Sequence, residues 1–101
     1  MLKKDILELC LLRLMAQGEQ YGYQLLRRLH AVFPDVQESA LYSILRGLCR
    51  EGYTERYQGE AASGGPARKY YRLTKAGSAR LSALLEEWRR TRDALAALGI
   101  E

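Results

Sequence analysis

Hydroxyl and basic side chains recur along one side of the segment 39–50, and a second basic pair follows at Arg68 and Lys69. The first set comprises Ser39, Tyr42, Ser43, Arg46 and Arg50, and no acidic residue lies among them. A guanidinium group forks onto paired acceptors such as the O6 and N7 atoms of guanine, and hydroxyls donate to phosphate oxygens. These residue types predict hydrogen bonding to an anionic partner rich in acceptors.

The charge distribution agrees with this chemistry. The chain has 101 residues, enough for one domain, and a net charge of +4 from 16 Lys+Arg against 12 Asp+Glu. Residues 1–60 carry 8 basic and 8 acidic side chains, whereas residues 61–101 carry 8 basic and 4 acidic ones. The C-terminal excess favours an anionic partner, although many solvated surfaces have the same balance.

Groups suited to catalysis or to metal binding are scarce. The chain has one histidine, His30, no nucleotide-binding glycine loop and no metal-ligand spacing. Cys10 and Cys49 lie in apolar helical patterns, so we interpret them as buried free thiols in a reducing cytosol. No apolar run approaches about 18 residues, and charged residues interrupt the N-terminal apolar stretch. We therefore expect a cytoplasmic protein that is not an enzyme, with no cofactor, no metal and no membrane contact.

Three helices are predicted before residue 52. The first, from Ile6 to Ala16, is apolar nearly all round, so it needs cover on two sides: its own core and, through Leu7 and Leu11, a second subunit. The second runs from about residue 21 to 33 with Tyr23 on its outer side, and a proline follows it. The third runs from about residue 39 to 51, with Ser39 as its N-cap and the polar set described above on its outer face.

The hydrophobic period then changes from that of a helix to that of a strand. Residues 53–58 and 68–73 alternate and are rich in tyrosine, so they predict a β-hairpin whose long tip contains Gly64 and Gly65. Alternation directs Tyr71 toward the core and Tyr70 outward. A last helix is predicted from the cap Thr74 to about residue 98, with an apolar seam at Leu81, Leu84, Trp88, Leu95 and Leu98. This seam predicts helix pairing between subunits or, alternatively, packing on the chain's own first helix.

The order of three helices, a hairpin and a further helix is typical of a winged helix-turn-helix. We therefore predict a mainly α fold with a small β-hairpin: a winged-helix DNA-binding domain at 1–73 and a dimerisation helix at 74–101. In this fold the third helix enters the DNA major groove, the second crosses the backbone, and the wing reaches a phosphate or the minor groove. The predicted contacts with double-stranded DNA are Tyr23, Ser39, Tyr42, Ser43, Arg46, Arg50, Arg68, Lys69 and Tyr70.

Three motifs in order resemble the PadR family of bacterial transcriptional regulators. They are Tyr21-Gly22-Tyr23, Leu41-Tyr42 and the run GPARKYY at 65–71, which Leu73-Thr74 and Gly77 follow. The resemblance covers nearly the whole chain and fits the short subfamily with one C-terminal helix. It implies a homodimeric repressor that a small molecule releases, with Tyr42 at the major groove and Lys69 at the backbone.

The resemblance also concerns the last helix, and this sequence departs from the family pattern at two positions. Some short members bind flat aromatic compounds between subunits against a tryptophan, and Trp88 stands at the matching place, so it is either an interface residue or an effector-stacking one. Family members often have Ser or Thr where Gln37 and Ala40 stand, so two hydroxyl contacts to phosphate are expected to be missing. The dimer interface is predicted to comprise Leu7, Leu11, Leu84, Trp88 and Leu95.

Two functions remain open at this point. A two-fold dimer predicts an inverted-repeat operator with half-sites about one helical turn, or a multiple, apart. The alternative is a winged-helix module for protein–protein contact, which keeps the fold but lacks a coherent basic third helix and wing. The basic residues of the third helix and of the wing argue against this alternative.

Overall fold

A computed structural model describes residues 2–59 and 68–101. It contains four helices and three strands within these ranges. In chain order they are α1 (Lys3–Ala16), β1 (Gln20–Tyr21), α2 (Gly22–Val32), α3 (Glu38–Arg50), β2 (Thr54–Gln58), β3 (Lys69–Leu73) and α4 (Lys75–Ala97). The predicted mainly α fold with a small hairpin is confirmed. Gly64 and Gly65 of the predicted wing tip lie outside the described residues.

The sheet has one strand more than the sequence predicts. Its order is β1-β3-β2 and both pairings are antiparallel, with Gln20 opposite Tyr71 and Tyr21 opposite Tyr70 in the extra pair. A strand of two residues has no periodicity to detect, and its pairing depends on the tertiary approach of the α1–α2 connection to β3. This strand fixes the wing to the beginning of α2.

The start of α3 differs from the prediction. The N-cap is Gln37 in extended conformation rather than Ser39, and its side chain makes no capping bond. Val36 is buried and its N–H donates to the carbonyl of Phe33 at 3.1 Å, which sets the turn and allows the helix to begin at Glu38. Ser39 is therefore exposed within the first turn of α3 instead of capping it. The predicted Thr74 cap of α4 is confirmed, because its hydroxyl accepts from the Gly77 N–H at 3.0 Å.

Helix α1 is the centre of the core and packs against α2, α3, α4 and β3. Leu7 and Leu11 of α1 are 4% and 0% exposed, and Leu84 of α4 is 1% exposed. The chain's own core thus covers these three side chains, and they offer no surface to a second subunit in this conformation. The prediction that they form a dimer interface is corrected in this respect: the helix is apolar all round because one chain covers it on several sides.

Helix α4 extends beyond the core. Its buried residues, Gly77, Leu81 and Leu84, all lie in its first half. The radius of gyration is 15.0 Å, above the roughly 13 Å of a compact domain of this length. Trp88 and Leu95 in the second half of α4, and Leu98 at its C-cap, consequently lie at the surface. Within residues 2–59 and 68–101 no helix is long and apolar enough to cross a membrane.

Candidate nucleic-acid interface

The outer face of α3 carries a continuous polar and basic surface. Leu41, Leu45 and Leu48 anchor the helix in the core and are at most 3% exposed. A helical repeat of 3.6 residues then directs the other side of the helix to solvent. All five polar residues predicted for this face are exposed: Ser39, Tyr42, Ser43, Arg46 and Arg50. The predicted face is therefore present as one surface.

A groove of about 460 Å³ joins this face to the wing and to the beginning of α2. It brings together residues of three distant segments, since Tyr23, Tyr42, Arg68 and Lys69 all line it. Gly22 forms part of its floor, and a Cβ there would lie 3.1 Å from the Tyr71 ring. Because α2 begins at this groove, the positive end of the helix dipole adds to the two side-chain cations. The groove has the charge and the donors that a phosphate group requires.

Tyr23 is held in this groove by a neighbour on its own helix. The Arg27 guanidinium donates to the Tyr23 hydroxyl at 3.0 Å and lies 5.6 Å from the ring centroid. With Arg27 as donor, the hydroxyl oxygen acts as acceptor and its own proton remains available to donate elsewhere. Tyr23 is 56% exposed, so a ligand in solution can reach this residue.

Three tyrosines form a row across the sheet at the base of the wing, here called the tyrosine row. Tyr70 lies between Tyr21 and Tyr57, with ring centroids 5.8 Å apart on both sides. The Arg68 guanidinium lies 4.5 Å above the Tyr21 ring, and Arg72 lies 4.6 Å above Tyr57. Tyr70, a predicted DNA contact, is half-buried between the two rings that the arginines cover. The contact between the Arg68 guanidinium and the Tyr21 ring orients Arg68 beside the groove.

The outer end of the row is bonded to the α1–α2 connection. The Tyr57 hydroxyl donates to the Glu19 carboxylate, and this hydrogen bond raises the pKa of Tyr57 above its usual value. On the same strand pair, Arg72 donates to Glu55 at 3.1 Å. The Tyr57 bond attaches β2 to the body of the domain, and the Arg72 bond joins β3 to β2.

Five of the predicted contacts do not line the groove: Ser39, Ser43, Arg46, Arg50 and Tyr70. Ser43 and Arg50 line a shallow depression of about 160 Å³ on the α1 side of α3, together with Lys4. Lys4 was missed because the apolar pattern predicts that α1 begins at Ile6, whereas it begins at Lys3. The basic pair that precedes the apolar run was the available signal. Arg46 lies on the exposed ridge of α3 and lines none of these depressions.

A second, apolar groove of about 500 Å³ lies between α1, α2 and α4 on another side of the chain. Trp88 lines it and is 39% exposed, and the Arg92 guanidinium lies 5.0 Å above its indole. Cys10 lines the same groove, and burial raises the pKa of its thiol. In the described part of the chain no three His, Cys, Asp or Glu side chains are grouped as metal ligands would be.

Comparison with known proteins now decides the family. Residues 11–83 match the transcriptional regulator PadR-like family. The chain belongs to this family. A curated relative by sequence is an uncharacterised protein of Lysinibacillus sphaericus, 34% identical over 92% of this chain and 91% of its own length.

Solved structures give the same assignment. A PadR-like transcriptional regulator from Bacillus cereus is 33% identical, with a TM-score of 0.83 over 94% of this chain and 92% of its own. A Streptococcus transcriptional regulator is 28% identical, with a TM-score of 0.85 over 95% and 94% of the two chains. The predicted resemblance and the winged-helix fold are confirmed. PadR-family proteins are transcriptional regulators and not enzymes, as the sequence predicts.

Proposed function

We propose that this PadR-family regulator binds a specific double-stranded DNA operator, with α3 in the major groove and the wing on the adjacent backbone. The observation that carries the proposal is the groove of Tyr23, Tyr42, Arg68 and Lys69, which adjoins the polar face of α3. Phosphate contacts position a protein on DNA, and base contacts specify the sequence. The groove has the chemistry for positioning, and the exposed α3 ridge has the chemistry for base contact.

Arg46 is the side chain proposed to read a base. It is exposed on the ridge of α3, one helical turn beyond Tyr42, and its guanidinium can bond guanine O6 and N7 together. Lys69 and the Tyr42 hydroxyl, which line the same groove, are proposed to hold phosphate on one side of this ridge. Arg50 and Ser43 are proposed to contact the backbone on the other edge of α3, where Lys4, Glu8 and Glu51 line the same depression.

The test uses a fluorescently labelled duplex from the upstream region of the protein's own gene and a scrambled duplex. Fluorescence anisotropy measures the Kd of both. We expect the natural duplex to bind more tightly, and Arg46→Ala to weaken it by about 1–3 kcal/mol while it relaxes base preference. Arg90→Ala is the control, because Arg90 is exposed on α4 and pairs with Glu86 at 3.3 Å. An Arg46→Ala variant with unchanged affinity and preference would refute this placement of α3.

The active species is proposed to be a homodimer, in which 1–73 bind DNA and 74–101 join the subunits. The support is the uncovered second half of α4 with its C-cap, where Trp88, Leu95 and the C-cap Leu98 are 39%, 40% and 78% exposed. The apolar groove between α1, α2 and α4 adjoins this surface at Trp88. Two-fold symmetry then requires an inverted-repeat operator. Sedimentation at micromolar concentration is expected to give a dimer, and a monomer would overturn this part of the proposal.

The regulation is proposed to be repression in the cytoplasm, released by a small planar aromatic effector at Trp88. The support is the partly exposed indole at the edge of an apolar groove, since a flat ring stacks favourably on such a surface. Arg92 already lies above the indole, so a ligand uses the other face or displaces this arginine. Titration of planar aromatic compounds is expected to quench Trp88 fluorescence and to lower operator affinity. Absence of quenching across a broad panel would refute the effector site.

The alternative of a protein-interaction module makes a different prediction for the same duplexes. Such a module has no need to release counterions, so it binds neither duplex even at low salt. The basic groove and the polar α3 face argue for DNA. An absence of binding at low salt would favour the alternative.

A further inference from the structure

The beginning of α4 is bonded to the turn that ends α3. The Thr74 hydroxyl donates to the Gly52 carbonyl at 2.6 Å, and the Thr74 N–H donates to the Tyr53 carbonyl at 3.1 Å. The same turn is bonded back into α3, because the Tyr53 N–H donates to the Leu48 carbonyl at 2.9 Å and the Gly52 N–H to the Cys49 carbonyl at 3.1 Å. The end of α3 and the start of α4 are therefore one hydrogen-bonded unit.

Gly77 allows α4 to pack directly on this turn. It is buried, and a Cβ at this position would overlap the Tyr53 carbonyl oxygen and approach Leu73 Cδ2 to 3.2 Å. Backbone atoms cannot move aside as the end of a flexible side chain can, so even one methyl group would force the helix away from the turn. The contact fixes how closely α4 approaches the end of α3.

An ion pair between buried Glu8 and half-buried Arg80 fixes the direction of α4 as well. Arg80 Nε donates to Glu8 Oε1 at 3.0 Å, and the two side chains are 34% and 9% exposed. The Arg80 guanidinium also lies 5.8 Å from the Tyr53 ring centroid, so it contacts α1 and the turn together. The hydrogen bond to Glu8 raises the pKa of Arg80 above its usual value. Apolar residues often replace such an ion pair without loss of stability, so stability alone does not account for it. The contribution of the pair is its geometry, which fixes the direction of α4.

We propose that Glu8, Thr74, Gly77 and Arg80 form an α3–α4 joint that sets the half-site separation accepted by the regulator. They act as positioning residues, and the inference rests on the proposed DNA-binding dimer. If α4 joins the two subunits, the angle between α3 and α4 determines where the two α3 helices stand on the duplex. A joint that holds this angle makes the protein select one separation.

The length of α4 makes the half-site separation sensitive to small changes of angle at the joint. From Gly77 to Leu95 the helix spans about 27 Å, so a change of about 10° in its direction moves the far end by about 5 Å. One base pair shifts a half-site by about 3.4 Å along the duplex and rotates it by about 35°. A change of about 10° at the joint is therefore enough to follow the translation of one base pair, and following the rotation as well requires a loss of angular definition at the joints of both subunits.

The test variant is the double substitution Glu8→Met/Arg80→Met. It removes the ion pair without leaving a buried charge unpaired, so the chain is expected to fold, and circular dichroism verifies this. The matched control is Glu86→Met/Arg90→Met, which removes an exposed ion pair within α4 alone. Both variants and the wild type are measured on an operator series in which the half-sites are moved apart or together by one and two base pairs.

For the wild type we expect each one-base-pair shift to lower affinity by about tenfold, the value of one lost bidentate contact. The control keeps this discrimination. The joint variant is expected to lose most of it, with affinities for neighbouring separations within about threefold of each other, while binding to a single half-site is unchanged. A general loss of stability would weaken every duplex alike and would leave the discrimination intact.

A second measurement does not depend on DNA. Spin labels at Glu38→Cys and Ala94→Cys, in a Cys10→Ala/Cys49→Ser background, report the distance between α3 and α4 when labelled chains are diluted with unlabelled ones. We expect one narrow distance in the wild type and a broader or shifted one in the joint variant. An unchanged distribution in the folded joint variant would overturn the joint, whatever the DNA result.

The two arms separate the possible failures. A broadened distance with unchanged spacing discrimination would overturn the role in half-site selection. If the wild type bound no duplex at low salt, the proposed function would fail and the spacing role with it, while the distance measurement would still support the joint as the element that orients α4.

Discussion

The number of cations on the α3 face and on the wing fixes how strongly DNA binding must depend on salt. Arg46, Arg50, Arg68 and Lys69 are exposed on this surface in each subunit, which gives eight cations in a dimer. Each phosphate that a cation neutralises adds about −0.9 to the slope of log K against log salt. The expected slope is about −7 if all eight contact phosphate, and about −5 if Arg46 contacts bases instead.

The decisive perturbation is Lys69→Ala. Lys69 lines the groove in which the beginning of α2, Tyr42 and Arg68 converge, and its removal deletes two phosphate contacts from the dimer. The slope should become less steep by about 2, so between about 50 and 200 mM KCl the variant loses about tenfold less affinity than the wild type does. Because the contact carries no sequence information, natural and scrambled duplexes should be affected equally.

The assay is an anisotropy titration at several KCl concentrations in this range. The control is Arg90→Ala, which removes the same formal charge from the exposed side of α4 and should leave the slope unchanged. If Lys69→Ala kept the wild-type slope, Lys69 would not contact DNA and the groove would not be the phosphate site. A wild-type slope near −1 would refute the whole surface as a DNA interface.

Three further predictions concern the fold itself. Leu84→Ala should lower the free energy of unfolding by about 2–5 kcal/mol in urea titration, because Leu84 is 1% exposed. The control Leu2→Ala, at a 74% exposed position, should change this free energy little. Equal effects of the two substitutions would contradict the packing. Tyr57→Phe removes a hydrogen bond to Glu19 that water can replace, so calorimetry should show little loss of stability, and a large loss would contradict the exposed position of this bond. In a Cys49→Ser background, alkylation of Cys10 should require a higher pH than a free thiol does, since burial raises the pKa of Cys10 and less thiolate is present at any given pH; a midpoint at or below the ordinary thiol value would contradict the burial.

The helices and the hairpin were predictable because each carries its own signal. Apolar spacing defined α3, and the placement of its core residues implied the exposed side of Arg46 and Arg50. Alternation placed Tyr71 inward, where it is 8% exposed. These are local patterns of period 3.6 or 2, and they do not depend on what the segment packs against.

The remaining features depend on tertiary contacts, and for this reason the sequence did not reveal them. Strand β1 exists only because Tyr21 meets Tyr70 across the sheet. The cover of α1 depends on how many elements surround it, so Leu7 and Leu11 were assigned to a partner although the chain's own core buries them. In both places a pattern correctly described the segment but could not identify its neighbour.

The same limitation applies to Glu8, whose partner is distant in the sequence. In the sequence Glu8 is a polar interruption of an apolar helix, which a pattern assigns to solvent. In the structure it is buried and its partner, Arg80, lies 72 residues further along the chain. An ion pair in such a place is weak evidence for stability, because two desolvated charges roughly offset their own attraction. Its contribution is orientation: it fixes α4 relative to α1 at the point where Tyr53 ends the turn from α3. A fold of this size has few other means to hold a helix whose second half leaves the core, so the direction of α4 depends on the few contacts made by its first turns.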